Sequence, residues 1–511
     1  MRYIDRGFVV ANEMSGSDFL KRRVWLALLS LCLVLFIWQQ VGMFSLAPVF
    51  PVDDSYITLQ NANELLGNET AFRNGGSLSG ATSIAHTLLV AAFILLTQND
   101  LLALSLTSLL GGWLYLIGMT ELARCYTNRM SSIVAVCFAA AFLAYTSHQL
   151  ANGLETSWAM AAVAWSLYLY SRHTESAARL LCLLLGAMPF IRPELIALSA
   201  LLGALQLYRY CAINGAAADV RSYAFKLAGY CLLGALPFLL INFFITGAVI
   251  PNTIGAKKVY FAEGCRDFAW KWQTFVFSSG WLLKPWWLVF IGIIGLGRTA
   301  LGRVLLLFAV IFYAAYIKSF AGALGHYEGR YQYVLLPMIV YGLLNVLVWL
   351  QDRNLQRFQI VGAAGIVIAV LAVSVPAGLE LAGERREFTA RHLFPVAEWL
   401  AEHVTPEQTV LVHDAGYVGY ALNMPVLNDL VGLKTPANIK YHEQITWPSC
   451  GAERPTAIAA ILLEAKPDYA VVYNVWDRIF GISYSFSLAG AQLEPLLNTG
   501  QYSIYAVQYA D

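Results

Sequence analysis

Two adjacent carboxylates, Asp53 and Asp54, stand just beyond the first apolar run, in VFPVDDSYITLQNANELLGNETAFRNGG. Neighbouring carboxylates repel, and the pKa of one rises unless a cation is shared. The pair therefore suits a general base, a divalent-cation site (Mg or Mn) that uses both, or the two roles combined. A structural role competes: Asp54 opens SYITLQNANELL, which can form an amphipathic helix, and Asp is a good N-cap. One Asp can also do both jobs.

Other polar residues form a short set. Glu155 lies in NGLETSW, and Arg192 and Glu194 lie in FIRPEL. Asn252, Thr253 and Lys257 lie in VIPNTIGAKK, while His326, Glu328 and Arg330 lie in GHYEGRYQY. Asp414 and Tyr417 lie in HDAGYVGY. Ionisable groups at a membrane face are costly, so each is a candidate functional group. Taken singly, each also reads as a solvated or snorkelling charge, and Arg192 could simply pair with Glu194 or Glu155 to brace a hairpin. As a set they could line one cavity. Carboxylates would deprotonate a hydroxyl there, and Arg and Lys would hold a phosphate, Arg bidentately and Lys as a point charge. The chain carries no phosphate-binding G-x-x-x-x-G-K-[ST], dinucleotide fingerprint, H-E-x-x-H or G-x-S-x-G. A phosphate-bearing donor would then be lipid-linked and reached from the bilayer.

Membrane helices must position these groups. Of 511 residues, 58% are apolar and 13% charged, against about 25% charged in soluble domains. This excludes a disordered chain, a coiled coil and an ordinary soluble enzyme, and the net charge of +1 gives no sign of nucleic acid. About eleven spans are expected from runs near the 20-residue length a bilayer needs. They are 24–47, 101–122, 131–150, 157–171, 179–191, 194–211, 225–246, 280–297, 303–320, 331–350 and 358–376. Lys and Arg mark cytoplasmic loops. Arg2, Arg6, Lys21, Arg22 and Arg23 place the N-terminus inside, and Arg124 and Arg129 place the loop after 101–122 inside too. An even number of crossings must separate these points, so 83–97 is expected to lie on or dip into the outer face. The basic loops that follow fit this frame, and every candidate site residue falls on the outer side.

Residues 1–376 thus form a membrane unit with an outer loop at 48–100. From 377 to 511 charges return, and TVLVHDAG, PVLND and YAVVYN read as short strands of a small outer α/β domain. Six cysteines (Cys32, Cys125, Cys137, Cys182, Cys211 and Cys231) lie in or beside spans or inner loops and read as buried apolar residues. Cys265 and Cys450 both fall outside, where an oxidising compartment would let them pair.

DDSYITLQNANELL…FRNGGSLSGATS resembles the first outer loop of GT-C membrane glycosyltransferases, in the arabinofuranosyltransferase-like branch. Further pieces follow in the branch's order: Gly153-Leu154-Glu155-Thr156, Arg192-Pro193-Glu194, Pro251-Asn252-Thr253 with Lys257, Gly329-Arg330-Tyr331, Asp414-Ala415-Gly416, and Asp429-Leu430 with Gly432-Leu433. They cover about residues 50 to 440. The chain departs from the pattern at Gln60-Asn61, where the branch carries Arg-Tyr. The resemblance implies a polytopic α-helical fold with outer-face helices after the first span. It implies transfer of a monosaccharide, arabinofuranose first, from a polyprenyl-phosphate donor to a hydroxyl of a glycan or of a protein such as a pilin, at the periplasmic face of a bacterial inner membrane. By position, Asp53 or Asp54 would be the base, with Asp54 preferred. Lys257 and Arg330 would hold the donor phosphate. Arg192, Glu194, Glu155, Asn252, Tyr56 and His326 would contact or support the donor, and Asp414 and Tyr417 would flank the acceptor side. A hexose or mannose donor is the alternative within the family. A transporter or flippase is the alternative outside it, although no internal repeat is found.

Overall fold

The computed structural model describes residues 16–510 except 69, 74, 216–218, 249, 250, 423 and 425; Arg2 and Arg6 lie outside the described residues. Helices dominate up to residue 403. They are α1 (Gly16–Gln40), α2 (Asp54–Leu65), α3 (Ile84–Thr97), α4 (Asp100–Tyr126), α5 (Met130–Phe142), α6 (Thr146–Leu150), α7 (Thr156–Ser171), α8 (Glu175–Ile191), α9 (Leu195–Asn214) and α10 (Val220–Thr246). After them come α11 (Asn252–Phe261), α12 (Phe268–Ser279), α13 (Trp286–Leu296), α14 (Ala300–Ser319), α15 (His326–Gly329), α16 (Leu336–Asp352) and α17 (Gln356–Ala369). Among the described residues, six helical stretches are long and apolar enough to cross a membrane: 100–126, 195–214, 220–246, 300–319, 321–352 and 356–403. The chain is a multi-pass membrane protein. The other expected spans are also helical, but α5 and α13 have 13 and 11 residues, short of a full crossing at 1.5 Å per residue.

The ends of the helices sort by charge. Glu121 at the foot of α4 pairs with Arg124 at 2.6 Å and with Arg23 of α1 at 3.0 Å, so these basic residues share one membrane face. Helix α3 has 14 residues, about 21 Å. Its first turn, with Thr87, lines a cavity beside Asp54. Just past its last turn, Asp100 accepts a hydrogen bond from Asn63 of α2 at 2.7 Å. Both ends of α3 therefore lie at the level of α2.

The last long helix does not stop near Pro376. It continues through single π-turns at 370–374 and 389–393 to His403, and the first of them lies just before Pro376, where the missing N–H and the ring would otherwise interrupt the hydrogen-bond ladder. The tail sheet follows, with β1 (Val410–Val412), β2 (Leu427–Asp429), β3 (Tyr469–Tyr473), β4 (Ala491–Asn498) and β5 (Tyr502–Tyr509) in the order β2-β1-β3-β5-β4. The first three are parallel, and β5 and β4 add an antiparallel hairpin. The three expected strand runs form β1, β2 and β3. The hairpin carries polar residues on its exposed face, which breaks up its apolar run.

The outer loop and the tail fold as one body. Leu427 donates from its N–H to the Ala71 carbonyl (2.6 Å) and accepts from the Arg73 N–H (3.1 Å), which extends the sheet edge with residues of the 48–100 loop. Tyr260 of α11 is fully buried against the tail, and Arg454 donates to the carbonyls of Tyr260 and Phe261, each at 2.9 Å. Cys265 and Cys450 form a disulfide across 185 residues, with Cα atoms 5.3 Å apart. Of the six free cysteines, only Cys137 and Cys182 are buried; Cys32 is exposed on α1 and the others are half-buried, as expected of helix faces covered by lipid. Replacing Cys450 by Ser should lower the stability of the outer body by on the order of 2–5 kcal/mol. Limited proteolysis with and without reductant measures this: the wild type under reduction should match the variant, and the oxidised wild type should resist cleavage after α11.

Candidate active site

Asp54 is the first residue of α2, and neither oxygen caps the helix. Its Oδ1 accepts from the Tyr327 hydroxyl at 3.0 Å. Its Oδ2 accepts from Arg330 Nη2 at 3.0 Å and lies 3.7 Å from Lys257 Nζ. Burial raises the carboxyl pKa, but Lys257, Arg330 and the Tyr327 hydrogen bond outweigh it and hold the group down at about 2. The group is therefore ionised throughout the neutral range. Its ion pairs act in full above about pH 4 and weaken as the pH falls toward 2. The donors arrive on a strained turn: Tyr327 (φ 45°), Glu328 (φ 57°) and Gly329 (φ 76°) are all left-handed. Only the glycine takes that conformation at little cost. Gln149 of α6 holds the turn by donating to the Tyr327 and Glu328 carbonyls (2.9 and 3.3 Å).

Asp53 points the other way. Its oxygens accept from the N–H groups of Gly416 (2.9 Å) and Tyr417 (2.7 Å) in the tail. A side chain at residue 416 would collide with Asp53, whose backbone oxygen lies 2.1 Å from the ideal Cβ position. Burial and the charges of Asp414 and Asp54 push the Asp53 carboxyl upward, against its two backbone hydrogen bonds. The two adjacent carboxylates thus have opposite environments and face different partners.

A small cavity lies beside Asp54 and opens to solvent, with about 390 Å³ of empty space when the open solvent at its mouth is included. Its wall includes Thr58 and Asn61 of α2, Gly80 to Ser83, Thr87, Glu155, Lys257 and Arg330. Arg192 stands behind this wall, 1% exposed; its Nε bonds Glu194 Oε1 at 2.6 Å and its Nη1 lies 3.5 Å from Glu155 Oε1. Arg192 and Arg330 both lie over the Tyr331 ring, 4.5 and 4.8 Å from its centroid. Nη1 and Nη2 of Arg192 and Nε and Nη1 of Arg330 are buried without a hydrogen-bond partner. Such orphaned donors are costly unless something else satisfies them.

The remaining candidates sit around this centre. His326 is packed among Phe261, Phe320 and Trp476. Asn252 bridges the cavity rim, accepting from Gly80 N–H at 3.3 Å and donating to the Leu433 carbonyl at 3.5 Å. Tyr56 is turned away from the cavity. It accepts from the Phe50 N–H at 3.0 Å and packs its ring edge on Tyr417, with centroids 4.9 Å apart. Tyr417 also stacks on Phe394. Asp414 accepts from the Tyr502 hydroxyl at 2.5 Å and pairs with His413 at 2.9 Å. Tyr56, Asp414 and Tyr417 thus belong to the junction with the tail.

Two residues of the site, Tyr327 and Lys434, carried no signal of their own in the sequence. Tyr327 looked like one aromatic among many, and only its place in GHYEGRYQY pointed to it. Lys434 is fully buried, with Nζ 2.6 Å from Glu64 Oε1 and 3.3 Å from Asn61 Oδ1. Glu328 pairs with Arg385 at 2.6 Å and with His148 at 3.3 Å beneath the strained turn. Among the described residues, no three His, Cys, Asp or Glu side chains come together as a metal-binding group. Asp53→Ala should leave two amides without acceptors, at about 1–3 kcal/mol, and hydrogen exchange at residues 415–418 should speed up. Asp54→Asn should leave exchange at that junction as in the wild type.

Residues 381–507 match a domain family described only as a domain of unknown function, DUF8728. No curated protein matches the sequence. Among solved structures, the chain is similar to ArnT from Cupriavidus metallidurans bound to undecaprenyl phosphate, at 12% identity over 96% of this chain and 98% of that one, with a TM-score of 0.55. The apo state of the same protein matches at 11% identity over the same shares, with a TM-score of 0.51. The mycobacterial arabinofuranosyltransferase AftD matches at 16% identity over 96% of this chain and 40% of its own length, with a TM-score of 0.47. The chain has the GT-C membrane fold.

Proposed function

We propose that this protein is a polyprenyl-phosphate-sugar-dependent glycosyltransferase, working at the periplasmic face of a bacterial inner membrane with about eleven spans, a cytoplasmic N-terminus and a periplasmic tail. The observation that carries this reading is a half-buried carboxylate in contact with a cation pair at the wall of a cavity, with unpartnered guanidinium nitrogens on Arg330. The fold is shared with a protein crystallised with undecaprenyl phosphate, which supports a lipid-linked phosphate as the ligand.

Asp54 takes the proton from the acceptor hydroxyl as that oxygen bonds to the anomeric carbon. The bond from that carbon to the phosphate oxygen breaks, and the phosphate leaves with the electron pair. Lys257 and Arg330 stabilise the departing anion, and groups preorganised at the site of developing charge contribute strongly to catalysis. In the free protein the same two cations hold Asp54 ionised and weakly basic. A donor phosphate drawing on Lys257 and Arg330 would compete with Asp54 for them and raise its proton affinity. Arg192, Glu194 and Glu155 hold the cation framework in place, while Asn252 fixes the rim. The carboxylates do not fit a shared divalent ion: Asp53 is spent on two backbone N–H groups and Asp54 on two cations, so no step is routed through a metal. Arabinofuranose is the first sugar to test, with mannose or another hexose next, and the acceptor is a glycan or a protein.

The test is turnover in nanodiscs with a panel of polyprenyl-phosphate sugars and candidate acceptors. Wild type should release polyprenyl phosphate, and Asp54→Asn should reduce the rate about 10²–10⁴-fold, as for loss of a general base. The acid limb of kcat should lie at higher pH than that of kcat/KM, because the first reports the donor-bound state. A wild type that binds and moves a polyprenyl-phosphate sugar across vesicles without cleaving it would favour the flippase.

A further inference from the structure

Helix α2 has a second polar side. Its periodicity puts Asp54, Thr58 and Asn61 on one face and Gln60 and Asn63 on the opposite one. Against that opposite face lies a separate cleft with about 860 Å³ of empty space, much of it open to solvent. It is lined by Gln60, Asn63, Asn68, Thr70 and Asp100 of the membrane unit and by the tail segment from Gly419 to Leu422, with Tyr420.

The chemistry of this lining differs from that of the Asp54 cavity. Among the described residues no Lys or Arg borders it, so it is not built for a phosphate. Its side chains are amides, a hydroxyl, one carboxylate and one phenol, which both donate to and accept from neutral hydroxyl groups. The amides are held in a chain: Asn68 donates to Asn63 at 2.7 Å and Asn63 donates to Asp100 at 2.7 Å. Gln60 is 3% exposed. Its Nε2 is committed to the carbonyls of Ala415 (2.7 Å) and Gly416 (2.6 Å), which leaves Oε1 buried without a partner. A buried acceptor left open beside a cleft is a group a ligand hydroxyl would satisfy. Tyr420, Ala421 and Leu422 give the cleft an apolar side beside its polar groups, a combination that suits a polyol with one ring face against Tyr420.

We propose that this cleft is a carbohydrate-binding site that anchors a non-reacting part of a neutral glycan acceptor, an assignment that rests on the transferase function proposed above. Asn63 lies nine positions beyond Asp54, about 14 Å along the helix, so a chain held there extends past the reacting end. The site makes the acceptor a glycan and gives the enzyme a preference for longer chains.

Saturation-transfer NMR and titration on the full-length protein in nanodiscs test this, with neutral linear oligosaccharides of arabinofuranose, mannose and glucose, and a Ser/Thr-rich peptide as the competing class. Polyprenyl phosphate binding is measured in parallel. At least one oligosaccharide should bind the wild type, and Gln60→Leu should weaken its Kd at least tenfold. Asn68→Ala, at an exposed position that leaves the packing intact, should weaken it severalfold. Asn68→Ala should still bind polyprenyl phosphate, whereas Gln60→Leu also removes the bonds to Ala415 and Gly416 and is read on saccharide affinity alone. Polyprenyl phosphate binding without any saccharide binding would overturn the cleft and leave the transferase standing; so would peptide binding alone, which would make the acceptor a protein. Saccharide binding unchanged in both variants would also overturn it. Saccharide binding lost in the variants, with no polyprenyl phosphate binding in the wild type, would keep the cleft and overturn the transferase.

Discussion

The structure turns on one buried ionic contact, between the Asp54 carboxylate and the charges of Arg330 and Lys257. Removing such groups from water costs several kcal/mol per ion and is offset only when the geometry is good and partners are complete. Here the carboxylate is complete and the cations are not. Asp54 has two hydrogen-bond donors and the Lys257 charge 3.7 Å away, whereas Arg330 keeps two buried nitrogens open. An arrangement tuned only for stability would close that deficit. A site that must receive a second anion would leave it.

Adjacent residues on α2 reach different bodies of the molecule. Asp54 lines the cavity, and Asp53 clasps the backbone of Gly416 and Tyr417. Gln60 and the buried Lys434 repeat the pattern, each joining α2 to the tail. The pairing of Phe72 with Leu427 and the Cys265–Cys450 bridge complete the attachment. The tail thereby sets where α2 sits, and so where the Asp54 carboxylate points. A change in the tail sheet, remote from the cavity, would act on chemistry through this helix.

The same logic explains the strained turn before Arg330. Two non-glycine residues in the left-handed region cost of order 1–3 kcal/mol each. Gln149 beneath them, with Arg385 and His148 on Glu328, over-determines the conformation. What the strain secures is position: the Tyr327 hydroxyl and the Arg330 guanidinium both meet Asp54. Arg385 lies on the helix that leads into the tail, so this turn too is tied to the outer body.

The membrane character, the helices at the expected spans, the strand runs of β1 to β3, and the residues Asp54, Glu155, Arg192, Lys257 and Arg330 were legible in the sequence. Long apolar runs and ionisable residues at helix ends carry strong transfer free energies, which are local properties. The β4–β5 hairpin was not legible, because its exposed face is polar and Pro495 interrupts the β4 run. The continuation of the last helix past Pro376 was hidden as well, since a proline preceded by a π-turn looks the same in sequence as proline at a helix end. The sequence by itself determined which residues could do chemistry and that they lie near one membrane face. Only the tertiary structure decided which of the two aspartates faces the cavity, that Tyr56, Asp414 and Tyr417 serve the junction instead, and that Tyr327 and Lys434 matter. The physical reason is that adjacent helical residues differ by about 100° in direction, so what each one meets depends on segments hundreds of residues away.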